Sequence, residues 1–546
     1  MIPGTKHPIV RQFAKVPKVA TAEAVVVPVA RKTSAKETVS VRSFALGLTA
    51  SFFLLELVNI LHHGMWRDEI QVWSLSQRCH SLLEFLRLKR YEDLGHPDAW
   101  HLLVYPVSRF TSNPVAMQLV HLVVATITAY IVARYAPFPR LQRVLIVFGY
   151  FLFFEYATIS RGYAFGVLCV FWFCAAFKPG AGKNYLKLAA ILSLMAQANV
   201  HALMLALAFA AMLMFEVVWS REPRRFLFPG AGQAGFAAML FAAAVLASIF
   251  RMRPPADSAF YPAWHLGLDP TSVGRTLAMM WKSFVPIPQL SRHFWNTNIV
   301  PSPMVVAALS IPVLCVSVLF FVRKPTVLFL YAAGIGELLL FRHVKYAGDL
   351  RHDGHGFILF LACAWLAYGF PDEKFPLPKI DGVARWFAPY KRGVFVGLLV
   401  VQVTAALIAS AIALKVPFSQ AKNTANFLRA NHLDKMFILG EFDAPLATVA
   451  GYLGRDIYYP RGDRMGTYVI WDTKRLATPK KPMLELGKEK AAERHEDVLV
   501  ILNHPSPVED ASAQEIASFT GSVVGSEDYY IYRARYEPQT TESVSR

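Results

Sequence analysis

The sequence predicts an α-helical polytopic membrane protein with about 11 transmembrane helices, juxtamembrane helices in its first outer loop, and a small C-terminal α/β domain. Three observations predict it. First, 55% of the 546 residues are hydrophobic and only 17% are charged, too little charge to cover a soluble surface of this size. Second, apolar runs recur as far as residue 414, and about 20 apolar residues suffice for one crossing. Third, basic clusters mark alternate connections between these runs, as the positive-inside bias requires. The same composition excludes a disordered chain, collagen and a small disulfide scaffold. The five cysteines form no C-x-x-C pair, so neither a disulfide framework nor a cysteine zinc site is expected. A formal charge of +18 suits membrane orientation and membrane lipids with anionic headgroups. No zinc-finger or RNA-binding signature accompanies it, so nucleic acid is not an expected partner.

Residues 1–42 form a basic tail with Lys6, Arg11, Lys15, Lys18, Arg31, Lys32, Lys36 and Arg42, expected to be disordered and cytoplasmic. The first span, 43–63, is too long for a signal-peptide core and no small-residue cleavage site follows it. Further runs lie near 114–133, 142–157, 163–177, 186–199, 201–219, 233–250, 301–321, 326–341, 355–370 and 393–414. The stretch 186–219 exceeds one crossing and is divided at the polar Asn199–His201. Arg134/Arg140/Arg143, Lys178/Lys183/Lys187, Arg221/Arg224/Arg225, Arg323/Lys324 and Lys374/Lys379/Lys391/Arg392 fall in alternate loops. An odd number of spans then sends residues 416–535 to the extracytoplasmic side. The transmembrane domain is thus 43–415. The polar 416–535 region alternates helix-like SQAKNTANFLRANHL and APLATVAGYLG with strand-like MFILG, DIYYP, TYVIW and DVLVIL, the pattern of an α/β domain. Residues 536–546 are expected to be a disordered tail. A bacterial inner membrane is the expected location.

The polar chemistry gathers in the outer loops. The loop after span one is far longer than a connector requires, and its amphipathic pieces suit the membrane surface. At its start stand Asp68 and Glu69. Acids there are costly unless solvated or used, although acids also favour a helix N-terminus. His96-Pro97-Asp98 opens a second amphipathic piece, with Pro97 suited to a first helical turn. Ser160-Arg161-Gly162-Tyr163 sits at an outer junction, where an arginine also snorkels. Asn199-Val200-His201 marks an outer turn. Arg342, His343, Lys345, Arg351, His352, Asp353 and His355 surround the start of a later span, a cluster that lipid headgroups would also explain. The joint argument is stronger: acids from one loop and Arg/His groups from three others share one membrane face. The aromatic loop 251–300, with Phe260, Tyr261, Trp264, Trp281, Phe294 and Trp295, is expected to form an interfacial belt. Asp443, Tyr452, Tyr458, Tyr459, Arg461 and Trp471 are expected to be core and surface of the C-terminal domain.

WRDE at 66–69, GHPDAW at 95–100, Arg161-Gly162-Tyr163 and RHDGHGF at 351–357, in this order, resemble the C-type glycosyltransferases, with the protein O-mannosyltransferases and lipid A aminoarabinose transferases as the nearest comparison. The family more often has His-Pro-Pro; here Asp98 replaces the second proline. The resemblance implies transfer of a sugar from a polyprenyl-phosphate donor to a lipid, protein or glycan acceptor at the extracytoplasmic face. It implies Asp68 as general base, with Glu69 second, and Arg67 orienting the carboxylate. Arg161 and Arg351 would face the leaving phosphate, with His96, Tyr163, His201, His352 and His355 as further substrate contacts. No metal is required on this reading; a divalent ion held by Glu69 and His96 is the alternative. A base-activated single displacement inverts the anomeric centre. No nucleotide enters on this reading, because the donor's leaving group is a lipid phosphate. Two other readings stand beside this one. A secondary transporter would use Glu56, His121, Glu216 and Glu337, which lie inside apolar runs. A cell-envelope scaffold would have no use for the acidic pair.

Overall fold

The computed structural model describes residues 35–92, 95–180, 182–219, 230–259, 266–479, 481–506 and 513–537. Lys6, Arg11, Lys15, Lys18, Arg31, Lys32, Arg221, Arg224, Arg225, Phe260, Tyr261, Trp264 and the last residues of the C-terminal tail lie outside the described residues. The chain divides into two units at Ser43–Phe44. Of the first, only the opening turns of helix α1 belong to the described residues.

The helical part runs α1 (Ala35–His62), α2 (Arg67–Arg78), α3 (Leu82–Leu88), α4 (Ala99–Val107), α5 (Val115–Tyr135), α6 (Arg140–Val147), α7 (Tyr163–Ala176), α8 (Tyr185–Ala196) and α9 (Val200–Trp219). It continues through α10 (Ala231–Met252), α11 (Val273–Phe284), α12 (Pro303–Leu319), α13 (Pro325–Val344), α14 (Leu350–Leu366), α15 (Pro378–Phe387) and α16 (Lys391–Ala413). Six stretches among the described residues are long and apolar enough to cross a membrane: Val39–His62, Val115–Tyr135, Val200–Trp219, Ala231–Met252, Pro325–Val344 and Pro378–Ala413. Tyr163–Ala176, Tyr185–Ala196 and Pro303–Leu319 are shorter apolar helices. This is an integral membrane protein. The chain breaks between Ala196 and Val200, where Asn199 caps α9 by accepting from the Ala202 N–H at 2.9 Å.

The 142–157 run is not one helix. α6 ends at Val147, and a π-helical turn, Phe151–Glu155, follows. Residues 149–164 are all buried, the condition under which irregular backbone is tolerated at membrane depth. The segment carries the chain from Gln142 to Ser160 and Arg161 as an interrupted helix.

The C-terminal region forms α17 (Ala421–Ala430), β1 (Phe437–Gly440), α18 (Asp443–Leu453), β2 (Ile457–Tyr459), β3 (Arg464–Gly466), α19 (Met483–Arg494), β4 (Val498–Leu502), β5 (Ala513–Phe519) and β6 (Tyr529–Ala534). The sheet order is β3-β2-β1-β4-β6-β5. β1 pairs in parallel with β2 and with β4, where Leu439 faces Val500; the other pairings are antiparallel. Every residue of β4 is buried, as its unbroken apolar run requires. TYVIW is not a strand: the ladder stops at Gly466, and the next residues bond to the first loop of the helical part instead.

That docking overturns the surface placement expected for the first amphipathic helix. In α2 every residue from Glu69 to Ser76 is buried. Gln71 exchanges two hydrogen bonds with the Val469 backbone, donating at 2.8 Å and accepting at 3.1 Å. The Trp471 N–H donates to the Tyr91 carbonyl at 3.0 Å, and the Met65 N–H to the Tyr452 hydroxyl oxygen at 2.8 Å. Gly451 of α18 allows the closest approach: a Cβ there would meet the Ser74 hydroxyl at 2.5 Å. The polar face of α2 is therefore covered by the α/β domain rather than by headgroups. Nor is the 251–300 segment simply a belt. Phe294 is fully buried, and Trp295 packs edge-on against Trp66 at 4.9 Å.

Candidate active site

The ends of five helices converge at one face of the helical part: the N-termini of α2, α7, α9 and α14, and the C-terminus of α13. They enclose a cavity of about 520 Å³. Arg67, Asp68, His96, Arg161, Tyr163, His201, Arg351 and His352 all line it. They come from five separate stretches of sequence, which the tertiary fold brings together.

Asp68 stands in the first turn of α2 among three guanidiniums. Arg67 Nε donates to Oδ1 at 2.8 Å. Arg161 Nη1 lies 3.4 Å from Oδ2, and Arg351 Nη2 lies 3.9 Å from it. Burial pushes the Asp68 carboxyl up, but Arg67, Arg161 and Arg351 together outweigh burial and hold it well below the usual carboxylate range. Arg161 is fixed by donating to the Asp68 main-chain carbonyl at 2.6 Å. It also approaches His96 Nε2 at 3.4 Å. An arginine only donates, so His96 accepts there and is neutral, with its proton on Nδ1. Burial, then the charges of Arg161 and Lys89, push the His96 pKa well below the ordinary value.

Gly348 has φ +64°, and a Cβ there would press on the His352 ring at 3.1 Å. This left-handed turn brings the Asp349 N–H to donate to His352 Nδ1 at 2.8 Å. His352 is thereby neutral with its proton on Nε2, which donates to the Tyr163 hydroxyl oxygen at 2.9 Å. The His201 ring stacks on both His352 and His355, with centroids 5.0 Å apart in each case. Arg351 is held by the Tyr156 hydroxyl, which donates to its carbonyl at 2.6 Å, and by Asp349, 3.2 Å from Nη2. Its buried Nε has no partner among the described residues. Around the cavity, the cations Arg67, Arg161, Arg351 and Lys345 face the carboxylates Asp68 and Glu92. Glu92 is already paired with His101 at 2.8 Å.

Two of the residues picked from sequence do not line the cavity. Glu69 points into the protein. Its carboxylate accepts from His63 Nε2 at 2.7 Å, the Ser160 N–H at 2.6 Å and the Trp66 N–H at 3.2 Å. The last bond is the reach-back of an N-terminal capping residue. Glu69→Ala strands these buried donors and is expected to destabilise the protein by about 3 kcal/mol, read as a lowered thermal unfolding midpoint in detergent. An unchanged midpoint would contradict that role. His355 lies behind His201, its Nδ1 donating to the His352 carbonyl at 3.1 Å. Among the described residues no group of three or more His, Cys, Asp or Glu side chains is placed to hold a metal ion.

Other residues complete the wall. Gln71, Phe341, Tyr346 and Trp471 line the cavity. Trp471, expected to belong to the α/β domain alone, is placed there by its backbone bond to Tyr91; nothing local in the sequence marks it. Asp98, the departure from His-Pro-Pro, forms a bidentate pair with Arg251, at 2.5 and 3.1 Å. It thus ties the end of α10 to the start of α4.

Glu527 connects the α/β domain to Arg67. Its Oε1 accepts from the Arg67 N–H at 2.8 Å. Burial pushes this carboxyl from its ordinary 4.5 up to about 7, against hydrogen bonds from Ser419 and Arg67. Between those values the folded chain keeps a proton that the unfolded chain has released. The contribution is full below pH 4.5 and is lost as pH rises through about 7. The thermal midpoint of the parent protein is therefore expected to fall relative to Glu527→Gln across that window. Parallel pH profiles would refute the assignment.

No family model matches this sequence, and no curated protein does. Solved structures do. ArnT from Cupriavidus metallidurans bound to undecaprenyl phosphate matches 93% of this chain and 100% of its own, with a TM-score of 0.51 and 11% identity. The apo form of ArnT from the same organism matches 91% of this chain and 100% of its own, at TM-score 0.48 and 12% identity. The arabinofuranosyltransferase AftD from Mycobacteria matches 91% of this chain and 40% of its own, at TM-score 0.33 and 12% identity. This chain shares the fold of the undecaprenyl-phosphate-bound ArnT structure, the C-type glycosyltransferase fold.

Proposed function

We propose that the protein transfers a sugar from a polyprenyl-phosphate donor to an acceptor hydroxyl, with the reaction taking place in the cavity around Asp68. The observation that carries this reading is the convergence of one carboxylate and three guanidiniums at a membrane-proximal face. The ArnT structure binds undecaprenyl phosphate, which supports a lipid phosphate as the anion that this cavity takes.

The chemistry follows from the charges. The acceptor oxygen attacks the anomeric carbon as its proton passes to Asp68, and the bond from that carbon to the phosphate oxygen breaks. The electron pair leaves with the polyprenyl phosphate, whose negative charge grows. Arg161 and Arg351 face that charge, as arginine does best through paired N–H donors. The partnerless Nε of Arg351 offers one such donor. Displacement from the side opposite the phosphate inverts the anomeric centre.

A carboxylate held low by three cations is a weak base. Donor binding changes this. As the phosphate draws Arg161 and Arg351 to itself, Asp68 loses two of its three stabilising charges and its proton affinity rises. The base therefore strengthens when the donor arrives. His96 and His352, both neutral, contribute hydrogen bonds without adding charge. The extracytoplasmic side, an N-terminus on the other side, and an inner-membrane location are part of this proposal. No metal takes part in it.

The test is to purify the protein and supply lipid-phosphate-linked sugars with candidate acceptors, while analysing by mass spectrometry the lipid-linked sugars that accumulate in a deletion strain. A lipid-phosphate sugar that builds up in the strain, and is consumed by the protein with release of free lipid phosphate, supports the reading. Movement of the sugar lipid across vesicles without any covalent product would sink it in favour of a transporter.

A further inference from the structure

A second cavity, of about 700 Å³, lies at the other end of α13 and α14. α13 starts beside Lys324 in this cavity and ends beside Lys345 in the first. α14 starts with Arg351 in the first cavity and ends near Ala364 and Ala367 in this one. Helices of 20 and 17 residues rise about 30 and 25 Å, close to the thickness of a bilayer core. The two cavities therefore face opposite membrane surfaces.

The lining divides by chemistry. Phe138, Phe320, Phe321 and Phe395 form an apolar wall. Lys324, Lys391 and Arg392 stand around it. Lys391 Nζ donates to the Phe320 carbonyl at 2.8 Å, which leaves further donors on the ammonium. Lys324 is 3.2 Å from Asp372. Arg392 is exposed and has no ion pair among the described residues. Against this surplus of donors stands one stranded acceptor. Gln142 is 5% exposed, lines the cavity, and its buried Oε1 has no hydrogen-bond partner. Buried polar atoms without a partner are rare, and each calls for an explanation. Beside the cavity, the short helix α15 buries Asp381, Ala384 and Phe387. It leaves Ile380, Val383 and Trp386 exposed, followed by exposed Tyr390. Exposed aromatics on a short amphipathic helix mark a membrane interface.

We propose that this cavity is a phospholipid site for the leaflet opposite the candidate active site. The phosphate lies on Arg392 and Lys391. A headgroup hydroxyl or ammonium donates to Gln142 Oε1. The glycerol end and the first carbons of the acyl chains rest on the phenylalanine wall. Glycerol and ethanolamine headgroups satisfy both polar demands. Phosphatidylcholine offers a phosphate but no headgroup donor, and diacylglycerol offers no phosphate.

The full chain, purified and delipidated in detergent, tests this by titration with phosphatidylglycerol, phosphatidylethanolamine, phosphatidylcholine and diacylglycerol in mixed micelles. Bound lipid is counted by native mass spectrometry. Phosphatidylglycerol and phosphatidylethanolamine are expected to be retained, and the other two lost. Arg392→Ala is expected to weaken retention about tenfold and Arg392→Glu further, consistent with loss and reversal of one phosphate contact. Gln142→Leu is expected to abolish the preference over phosphatidylcholine. Equal retention of all four lipids, or parental retention by both Arg392 variants, would overturn the proposal. So would displacement of bound phospholipid by millimolar glycerol 3-phosphate, since the ligand would then be a free phosphate. Because Arg392 is exposed, its variants retain the fold; an unchanged thermal midpoint without lipid verifies this.

Discussion

Asp68→Asn is expected to lower kcat for sugar transfer by about 10²- to 10⁴-fold, the range for loss of a general base, while the donor binds at least as tightly as before. Both halves follow from the same geometry. Asparagine keeps the size of the side chain and leaves its cavity position intact, but it takes no proton at neutral pH. It also releases Arg161 and Arg351, 3.4 and 3.9 Å from the carboxylate, from a competing anion. Single-turnover rates with saturating donor measure the first half, and equilibrium binding of a labelled polyprenyl phosphate measures the second. A variant that transfers sugar at the parental rate would remove Asp68 from the chemistry. A variant that has lost both rate and donor binding would make Asp68 an organiser of the guanidiniums instead.

Arg351→Ala should act in the complementary direction. Charge-assisted hydrogen bonds contribute about 1.5–3 kcal/mol each, so donor affinity is expected to fall about 10- to 100-fold, with a further fall in kcat. Arg351→Lys is expected to rescue little, because an ammonium lacks the planar fork that meets two phosphate oxygens. The variant also reports on Asp68. Arg351 is one of the cations that hold that carboxyl below the usual range. Its removal should move the acid limb of kcat/KM upward toward ordinary carboxylate values of about 4. An acid limb at the parental position in Arg351→Ala would separate the two residues. Aromatic neighbours make the alanine variant tolerable: the Arg351 guanidinium lies beside both Trp66 and Trp295, with centroids 5.7 and 5.3 Å away, and these rings pack on each other.

Much of the helical part was legible in the chain itself because apolar content and length have few interpretations in a bilayer. The α8–α9 break came from two polar residues in an otherwise unbroken run. The 142–157 run is largely apolar, yet apolarity did not reveal that α6 stops at Val147 and a π-helical turn follows. In the α/β domain, β1 and β4 announced themselves by short apolar runs. β5 and β6 did not, since AQEIASF and YYIYRA alternate weakly and gain their place by pairing with each other and with β4. At the site, Asp68, Arg161, Arg351 and the histidines could be picked out because charged groups beside apolar runs need a reason to be there. Glu69 looked equivalent to its neighbour. Consecutive helical residues point about 100° apart, however, so one acid faces the cavity and the other faces His63 and Ser160.

The sequence by itself determined the membrane class, the order of most helices and the set of polar residues available for chemistry, because partitioning of apolar and charged groups is a local property of the chain. Only the tertiary structure decided which acid meets the guanidiniums, that Trp471 and Glu527 reach back from the C-terminal domain, and that a second cavity lies at the other end of α13 and α14. Those facts depend on helix rotation and on contacts between segments hundreds of residues apart, which no local pattern encodes.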